Sequence, residues 1–399
     1  MEHVLNSPEL LLMIFECLEK DKGSLAVGLR VSRTGFTYGI GFLWISPTCD
    51  TLAKVRAASR QICAEQVQDL IFQRNDWRYY DDLKNLAFKR LRKVTVNSYG
   101  RSNENSLNLQ YLQPSWEELA YNGSKLDPVV LKHLQLLCPR LRKISLPASG
   151  LKLTSKAVVI FLQNSSLVEH VEFDEPVCDK LFTCLSSREN LRCLKSGRLI
   201  HHDSITKVSG LVSTPIRAIE NLSIRISSDS MSNLVDMLQS TPLRILRLEV
   251  EFADHLHNHP QLTVLSRLVH LQEMELCVCG SVRMIKNEFK PIQQLTNLRS
   301  LSIKPDGDYP EIDEFTDMDL DNLLSNLSRL ENFQFSFIAE ELSMQAAAII
   351  SDQCPHIQRC QVGLTWTANI LQSTPLFPQI EEFCVAAFLA KRSAIEIHG

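Results

Sequence analysis

The chain has 399 residues, of which 44% are hydrophobic and 22% charged, so its composition allows a buried core and is not that of a disordered protein. Its net charge of −4 gives no general electrostatic reason to bind nucleic acid or an anionic membrane. No apolar run approaches the roughly 20 residues that cross a bilayer, and the first residues lack the basic region of a secretory signal. The twelve cysteines are scattered. We therefore expect reduced thiols and a cytoplasmic or nuclear protein.

Residues 1–50 predict a small helical domain. In NSPELLLMIFECLEK the apolar residues have helical spacing, Ser7 can cap the helix, and Pro8 suits its first turn. Gly23 interrupts the pattern, and a second helical stretch, SLAVGLRVSRTGFTYGIGFLW, ends at Trp44. On pattern alone these helices are the kind of cap that the first unit of a repeat array requires.

Residues 51–90 connect this domain to the rest of the chain. The stretch DTLAKVRAASRQICAEQVQDLIF predicts a linker helix, or N-terminal cap of the array, that sets the angle between the two parts.

A hexad of the form apolar-x-x-apolar-x-apolar recurs through residues 91–399 at spacings of 23 to 32 residues. Such a period is typical of leucine-rich repeats. The alternating residues face one side of a short strand, and the intervening residues return the chain across the other face. The twelve matches are LRKVTV at Leu91, WEELAY at Trp116, LRKISL at Leu141, VEHVEF at Val168, a weaker LRCLKS at Leu191, IENLSI at Ile219, LRILRL at Leu243, LQEMEL at Leu271, LRSLSI at Leu298, LENFQF at Leu330, IQRCQV at Ile357 and IEEFCV at Ile380.

Many of the returns have helical periodicity, for example DPVVLKHLQLL and MQAAAIISDQ. Cys138-Pro139 and Cys354-Pro355 follow such stretches, where Pro ends the helix. The sequence therefore predicts an α/β fold: a leucine-rich repeat solenoid of about twelve repeats, a horseshoe with a parallel sheet on the concave face and helices on the convex face. The alternative is an ordinary α/β sheet protein.

The first fifty residues resemble the F-box. The resemblance lies in Pro-Glu-Leu-Leu-Leu, Ile14-Phe15, Leu18, the segment LRVSR and Leu43-Trp44, in that order. The Cys-Pro-x-Leu form of two repeats is similar to the repeats of intracellular F-box proteins. This resemblance implies docking to a Skp-type adaptor and, through it, a cullin. The residues that it divides between that interface and the domain core are Pro8, Leu11, Ile14, Leu18, Leu25, Val31 and Trp44.

The predicted concave face has a polar middle column of mixed charge, which suits a protein ligand. The candidate target-binding residues in it are Glu172, Lys195, Arg247, Glu275, Gln334 and Gln361. Arg92/Lys93, Glu117/Glu118 and Arg142/Lys143 occupy aligned positions of three repeats and predict a ladder of alternating sign. Self-neutralisation is the simpler interpretation of this pattern, and ligand contact is the other.

The longest spacing contains DGDYPEIDEFTDMDLD, in which eight of the sixteen residues are acidic. It lacks the alternating ligands and central glycine of a calcium loop. A solvated insertion explains it most simply. The alternative is an acidic lip, with Asp313, Glu314 and Asp317, that attracts a basic segment of a partner.

Few residues suggest chemistry. HLHNH at residues 255–259 and the pair His201-His202 are weak metal candidates, and Cys277 and Cys279 could form a redox or metal pair or simply be small half-buried residues. No nucleotide-binding or zinc motif is present. We therefore expect no cofactor, no metal and no enzymatic activity. The resemblance to F-box proteins implies the function of a substrate receptor of a cullin-based ubiquitin ligase. The alternative is a repeat scaffold or inhibitor unrelated to ubiquitin.

Overall fold

A computed structural model describes most of the chain, in two compact units, Met1–Glu175 and Pro176–Gly399. The described residues are 7–73, 80–97, 112–122, 126, 128–146, 155–173, 178–212, 215–252, 262–280, 284–306, 312–313, 315–337, 342–343, 345–364 and 382–387.

Unit 1 combines helices with a parallel sheet in which neighbouring strands follow each other in chain order. Its helices are α1 (Pro8–Cys17), α2 (Lys22–Gly28), α3 (Arg33–Leu43), α4 (Cys49–Ala53), α5 (Ala57–Ala64), α6 (Tyr80–Leu83), α7 (Pro128–Leu137) and α8 (Ser155–Asn164). Its strands are β1 (Asp69–Gln73), β2 (Lys93–Asn97), β3 (Glu118–Tyr121), β4 (Lys143–Leu146) and β5 (His170–Phe173).

Unit 2 has the same alternation of parallel strand and return segment. Its helices are α9 (Asp179–Ser186), α10 (His202–Leu211), α11 (Met231–Leu238), α12 (Asp317–Leu324) and α13 (Gln345–Gln353). Its strands are β6 (Cys193–Ile200), β7 (Asn221–Ser227), β8 (Ile245–Glu251), β9 (Glu273–Cys279), β10 (Met284–Ile285), β11 (Ser300–Asp306), β12 (Ile312–Asp313), β13 (Asn332–Phe335), β14 (Arg359–Leu364) and β15 (Glu382–Ala387). Strands β10 and β12 form a separate small pair.

The hexad prediction is confirmed, because each of the twelve hexads contains the start of a strand, two residues after its first position. The first hexad shows the reason: Leu91 and Val94 are completely buried and Val96 is 5% exposed, whereas Thr95 between them is half-buried. In both units the fold is therefore α/β with a parallel sheet, an arrangement consistent with a solenoid.

The predicted linker helix is wrong in its second half. The segment forms α4 and α5 and then the strand β1, which pairs with β2 in the same register as the later repeats, Leu70 opposite Val94. The stretch VQDLIF from Val67 is itself a hexad, 24 residues before the one at Leu91, and Val67 and Leu70 are completely buried. The array of unit 1 thus begins one repeat earlier than predicted.

The free edge of β1 is covered by the chain that leaves the helical domain. The amides of Gln68 and Ile71 donate to the carbonyls of Ile45 and Pro47, at 2.9 and 3.1 Å, and Thr48 forms a parallel bridge with Ile71. These bonds satisfy backbone groups that an exposed edge strand would leave unpaired.

The helical returns that the sequence predicts are present, including α7, α8, α11 and α13. Two other returns in unit 2 contain shorter 3₁₀ segments, Leu262–Arg267 and Lys290–Gln294. The weakest hexad, LRCLKS, corresponds to an irregularity in β6, where the register against β7 shifts between Ser196 and Leu199. Ser196 occupies the core position that a large apolar residue fills in the other repeats, and it is 5% exposed.

Substitution of Leu70 tests whether the early repeat belongs to the core. Because its side chain is completely buried, Leu70→Ala should lower the free energy of unfolding by about 2–5 kcal/mol. Ile71→Ala, on the same strand but on the half-exposed face, is the matched control and should cost clearly less. Urea unfolding measures both, and equal losses would contradict the assignment.

Candidate interaction surfaces

The helical domain at the start of unit 1 has its own small core. Leu11, Phe15, Leu25 and Leu29 form a buried cluster, against which Leu18, Phe42 and Leu43 pack. Asp21 caps α2 by accepting from the amides of Gly23 and Ser24, and Ser32 caps α3 by accepting from the amide of Gly35 at 2.8 Å. The hydrogen bond from the Ser24 hydroxyl lowers the pKa of Asp21. These contacts fix the mutual position of α1, α2 and α3.

Close packing of α3 on α1 depends on glycine. A Cβ atom at Gly39 would lie 2.8 Å from the Phe15 ring and would also collide with Leu29, and one at Gly35 would lie 3.0 Å from the Ser32 hydroxyl. Both glycines are buried and one helical turn apart. The two helices therefore approach more closely than side chains would permit, and Phe15, which lies against Gly39, is buried in the core.

Burial separates the seven residues that the sequence assigns to the adaptor interface or the core. Leu11 and Leu25 belong to the core, Leu18 packs against it, and Ile14 and Val31 are 45% and 77% exposed. Pro8 and Trp44 are partly exposed at the first position of α1 and the end of α3. The structure adds further exposed apolar side chains in the same domain, at Leu10, Met13, Val27 and Phe36.

The predicted ladder of alternating charges is present in unit 1, but some of its residues form ion pairs with partners other than the predicted ones. Glu118 lies in register with Lys93 and Lys143, and it pairs with Lys143 at 3.6 Å. Lys93 instead pairs with Asp69 on strand β1, at 3.2 Å. Arg142 pairs with Glu169 at 3.1 Å. All these side chains are partly exposed, so each pair stabilises the fold by no more than about 1 kcal/mol.

The middle column of unit 2 also stands in the predicted register, from Lys195 and Ser223 to Gln361 and Cys384. Arg247 pairs with Glu275 at 3.3 Å and with Glu273 at 3.5 Å, and Lys304 also pairs with Glu275. Two of the candidate target-binding residues, Arg247 and Glu275, are therefore bound to each other. Glu172, half-buried on β5, belongs to unit 1.

The two glutamine candidates line a depression of about 370 Å³ in the same face of unit 2. It forms where the small Ser300 and Ser302 of β11 lie between larger side chains of β9 and β13. The Ser302 hydroxyl donates to Gln334, whose amide donates in turn to the Ser336 hydroxyl at 3.1 Å. The other side chains around it are Glu273, Leu301, Asn332, Phe333, Arg359, Cys360 and Gln361. This surface offers hydrogen bonds to a polypeptide and little net charge.

The acidic segment is only partly a solvated insertion. Asp317 accepts hydrogen bonds from the amide and the hydroxyl of Ser343, Asp319 forms a capping box with Thr316, and Asp321 accepts from Gln353 at 2.7 Å. Asp317 is therefore a structural residue. Because its carboxylate already accepts two hydrogen bonds, this role explains it better than a place in an acidic lip does. Glu314 and the side chain of Asp313 lie outside the described residues.

The weak metal and thiol candidates gain little support. HLHNH lies outside the described residues. Cys277 and Cys279 are both buried, and burial raises the pKa of each thiol, that of Cys279 to about 12, which disfavours the reactive thiolate. His202 lies near Ser230 and Asp229, at 3.5 and 3.9 Å. Among the described residues no three potential ligands are grouped to hold a metal ion.

No family model matches the chain, and no curated protein is significantly similar to it. Among the helices that the structure describes, none has the length and apolar character that a bilayer crossing requires.

One buried acid predicts a pH dependence of stability. Glu288 is 8% exposed, and burial raises its pKa to about 8, whereas an unfolded glutamate titrates near about 4.3. Between these values the folded chain holds a proton that the unfolded chain has lost, so the free energy of unfolding should fall as the pH rises from about 5 to 8.

Glu288→Gln removes this titration while keeping the size of the side chain. The variant should be more stable than the wild type at pH 8.5, with a smaller difference or none at pH 5, in thermal melts. The exposed Glu189 provides the control Glu189→Gln, which should change neither midpoint. A stability difference that is the same at both pH values would show that the carboxyl does not titrate in this range.

Proposed function

We propose that this chain is the substrate-recognition subunit of a Skp–cullin–F-box ubiquitin ligase. Helices α1–α3 dock to the Skp-type adaptor, which connects the chain to a cullin, and the repeats hold a protein target. The observation that carries this proposal is the exposed apolar surface on a well-packed helical domain, whose residues fall in the order typical of an F-box.

The helical domain exposes several large apolar side chains. Met13 and Val27 are 62% and 64% exposed and Val31 is 77% exposed, although the same helices bury Leu11 and Leu25 in their own core. Exposed apolar side chains concentrated on one small domain are a feature of surfaces that another protein covers. Because the core of the domain does not use these side chains, they are available to an adaptor.

The polar sheet face supports the second half of the proposal. In unit 2 it presents amide and hydroxyl groups around Ser302 and Gln334, together with ion pairs that are already internally satisfied. Such a surface binds through many directed hydrogen bonds and suits a protein more than a small apolar molecule.

In this role the chain supplies proximity and no reacting groups. It would hold target lysines near a ubiquitin-charged enzyme on the cullin. The rate of ubiquitin transfer would rise because the effective concentration of the two reactants is high. A place in the cytoplasm or nucleus, where such ligases act, belongs to the same proposal.

Two substitutions of exposed residues test the docking surface directly. Purified adaptor should bind the intact chain and should lose at least tenfold in affinity for Ile14→Asp and Val31→Asp, because a carboxylate would then be buried at the interface. Leu211→Asp is the matched control, since Leu211 is an apolar residue of unit 2 that is 72% exposed, and it should leave binding unchanged. Isothermal titration calorimetry measures affinity, and thermal melts confirm folding.

Failure of the folded intact chain to bind any Skp-type adaptor would refute the ligase role. The helical domain would then be a cap for the first repeat, and the chain a repeat scaffold or inhibitor unrelated to ubiquitin. Leu18→Asp is unsuitable as a test, because Leu18 packs against the domain core. Its replacement could unfold the domain, so a loss of adaptor binding would not report on the docking surface alone.

A further inference from the structure

The repeats of unit 1 are more basic than the rest of the chain. Residues 51–150 contain sixteen Lys or Arg residues and nine Asp or Glu residues, although the whole chain has 42 and 46. Residues 176–399, by contrast, contain 20 basic and 27 acidic residues. The small net charge of the chain thus conceals opposite charges in its two parts.

Part of this positive charge surrounds a depression of about 720 Å³ at the N-terminal edge of β2, β3 and β4. The turns that lead into these three strands form its walls, with Lys89 on one side, Arg140 on the other and Pro114 between them. The remaining side chains around it are Ala87, Phe88, Gln113, Ser115 and Pro139. We name Lys89, Arg90, Arg92 and Arg140 the basic corner.

Three of the four cations in the basic corner have no ion-pair partner among the described residues. Lys89 pairs with Glu65 at 2.8 Å. Arg90, Arg92 and Arg140 are exposed and make no side-chain hydrogen bond or ion pair with any residue that the structure describes. On the same edge of unit 1, the neighbouring Arg142 pairs with Glu169 of the next strand's turn, at 3.1 Å. Among the described residues, the ladder on the sheet face therefore leaves these cations at the turns without a paired acid.

We propose that the basic corner is a second interaction surface, which binds an acidic segment of a partner protein. Arg90 and Arg140 precede strands two apart, so their backbones are separated by roughly 10 Å. An extended polypeptide covers that distance in about three residues. Carboxylates repeated at such an interval could reach both guanidinium groups and form charge-assisted hydrogen bonds with them.

The surroundings favour a polypeptide over a nucleic acid. Single-stranded nucleic acids bind through aromatic side chains on which bases stack, and Phe88, the aromatic residue at this depression, is only 2% exposed. Pro114 and Pro139 are exposed there and offer rigid apolar contacts to the side chains of a peptide. The basic corner lies on the turns, apart from the exposed apolar residues of α1–α3, and its function does not depend on docking to an adaptor.

Fluorescence anisotropy with the full-length chain tests this surface. The probe is a labelled twelve-residue peptide with glutamate at every third position among glycine, serine and proline, and its partner probe has glutamine in place of glutamate. The wild type should bind the glutamate peptide, more weakly as salt is raised, and should not bind the glutamine peptide. The double variant Arg90→Glu, Arg140→Glu should weaken binding by about tenfold or more.

Arg244→Glu provides the matched control, because Arg244 is an exposed arginine before a strand of unit 2 that has no side-chain partner among the described residues. It should bind the peptide as the wild type does. Equal loss in both variants, or no binding by the wild type, would overturn the proposal. A labelled twelve-nucleotide RNA that binds more tightly than the glutamate peptide would overturn it in favour of a nucleic-acid surface. Thermal melts of each variant exclude unfolding, and adaptor binding measured on the same proteins separates this result from the proposed function.

Discussion

The structure depends on one constraint: a single repeat cannot bury its own apolar face. Each hexad directs two apolar side chains to the same side of a short strand, and they leave water only when the neighbouring strands stand in register. In unit 1 that register runs from Leu70 through Val94, Leu119 and Ile144 to Val171. An array built in this way always has a first strand with an open edge. Ile45, Pro47 and Thr48 cover that edge, so the end of the helical domain is also the start of the sheet.

The same register determines which charges are available for binding. Residues that alternate with the core side chains are brought about 4.8 Å from their counterparts on neighbouring strands, and opposite charges there pair with each other, as Lys143 does with Glu118. Residues in the turns are not held in this register. Arg90 and Arg140 precede the hexads and so escape the ladder. Recognition of charged partners is therefore better suited to the turns than to the face of the sheet, where most described charges already have partners.

The sequence predicts the periodic part of this structure well, because a hexad at a regular spacing has few other physical explanations. The hexad VQDLIF is hard to recognise from the sequence, because the residues before it have helical spacing and its strand begins after a short turn. The sequence alone does not separate Leu11 from Ile14, since both lie on the apolar stripe of α1. Only the packing of the three helices shows that Leu11 joins the cluster with Phe15, Leu25 and Leu29, whereas Ile14 is exposed. The sequence also does not predict the structural role of Asp317, because its hydrogen-bond partner Ser343 is 26 residues away.

The segment that covers the edge of β1, from Ile45 to Thr48, would fix the orientation of the repeats in the proposed ligase. Within unit 1 the chain passes from α3 to the edge of the sheet in a few residues, and backbone hydrogen bonds from Gln68 and Ile71 hold that passage in place. No flexible linker of the kind that lets domains reorient separates the two. An adaptor bound to α1–α3 would therefore carry the first repeats in a fixed orientation. A target held by those repeats would meet the cullin-bound enzyme at a defined distance, and lysines would be selected by geometry as well as by sequence.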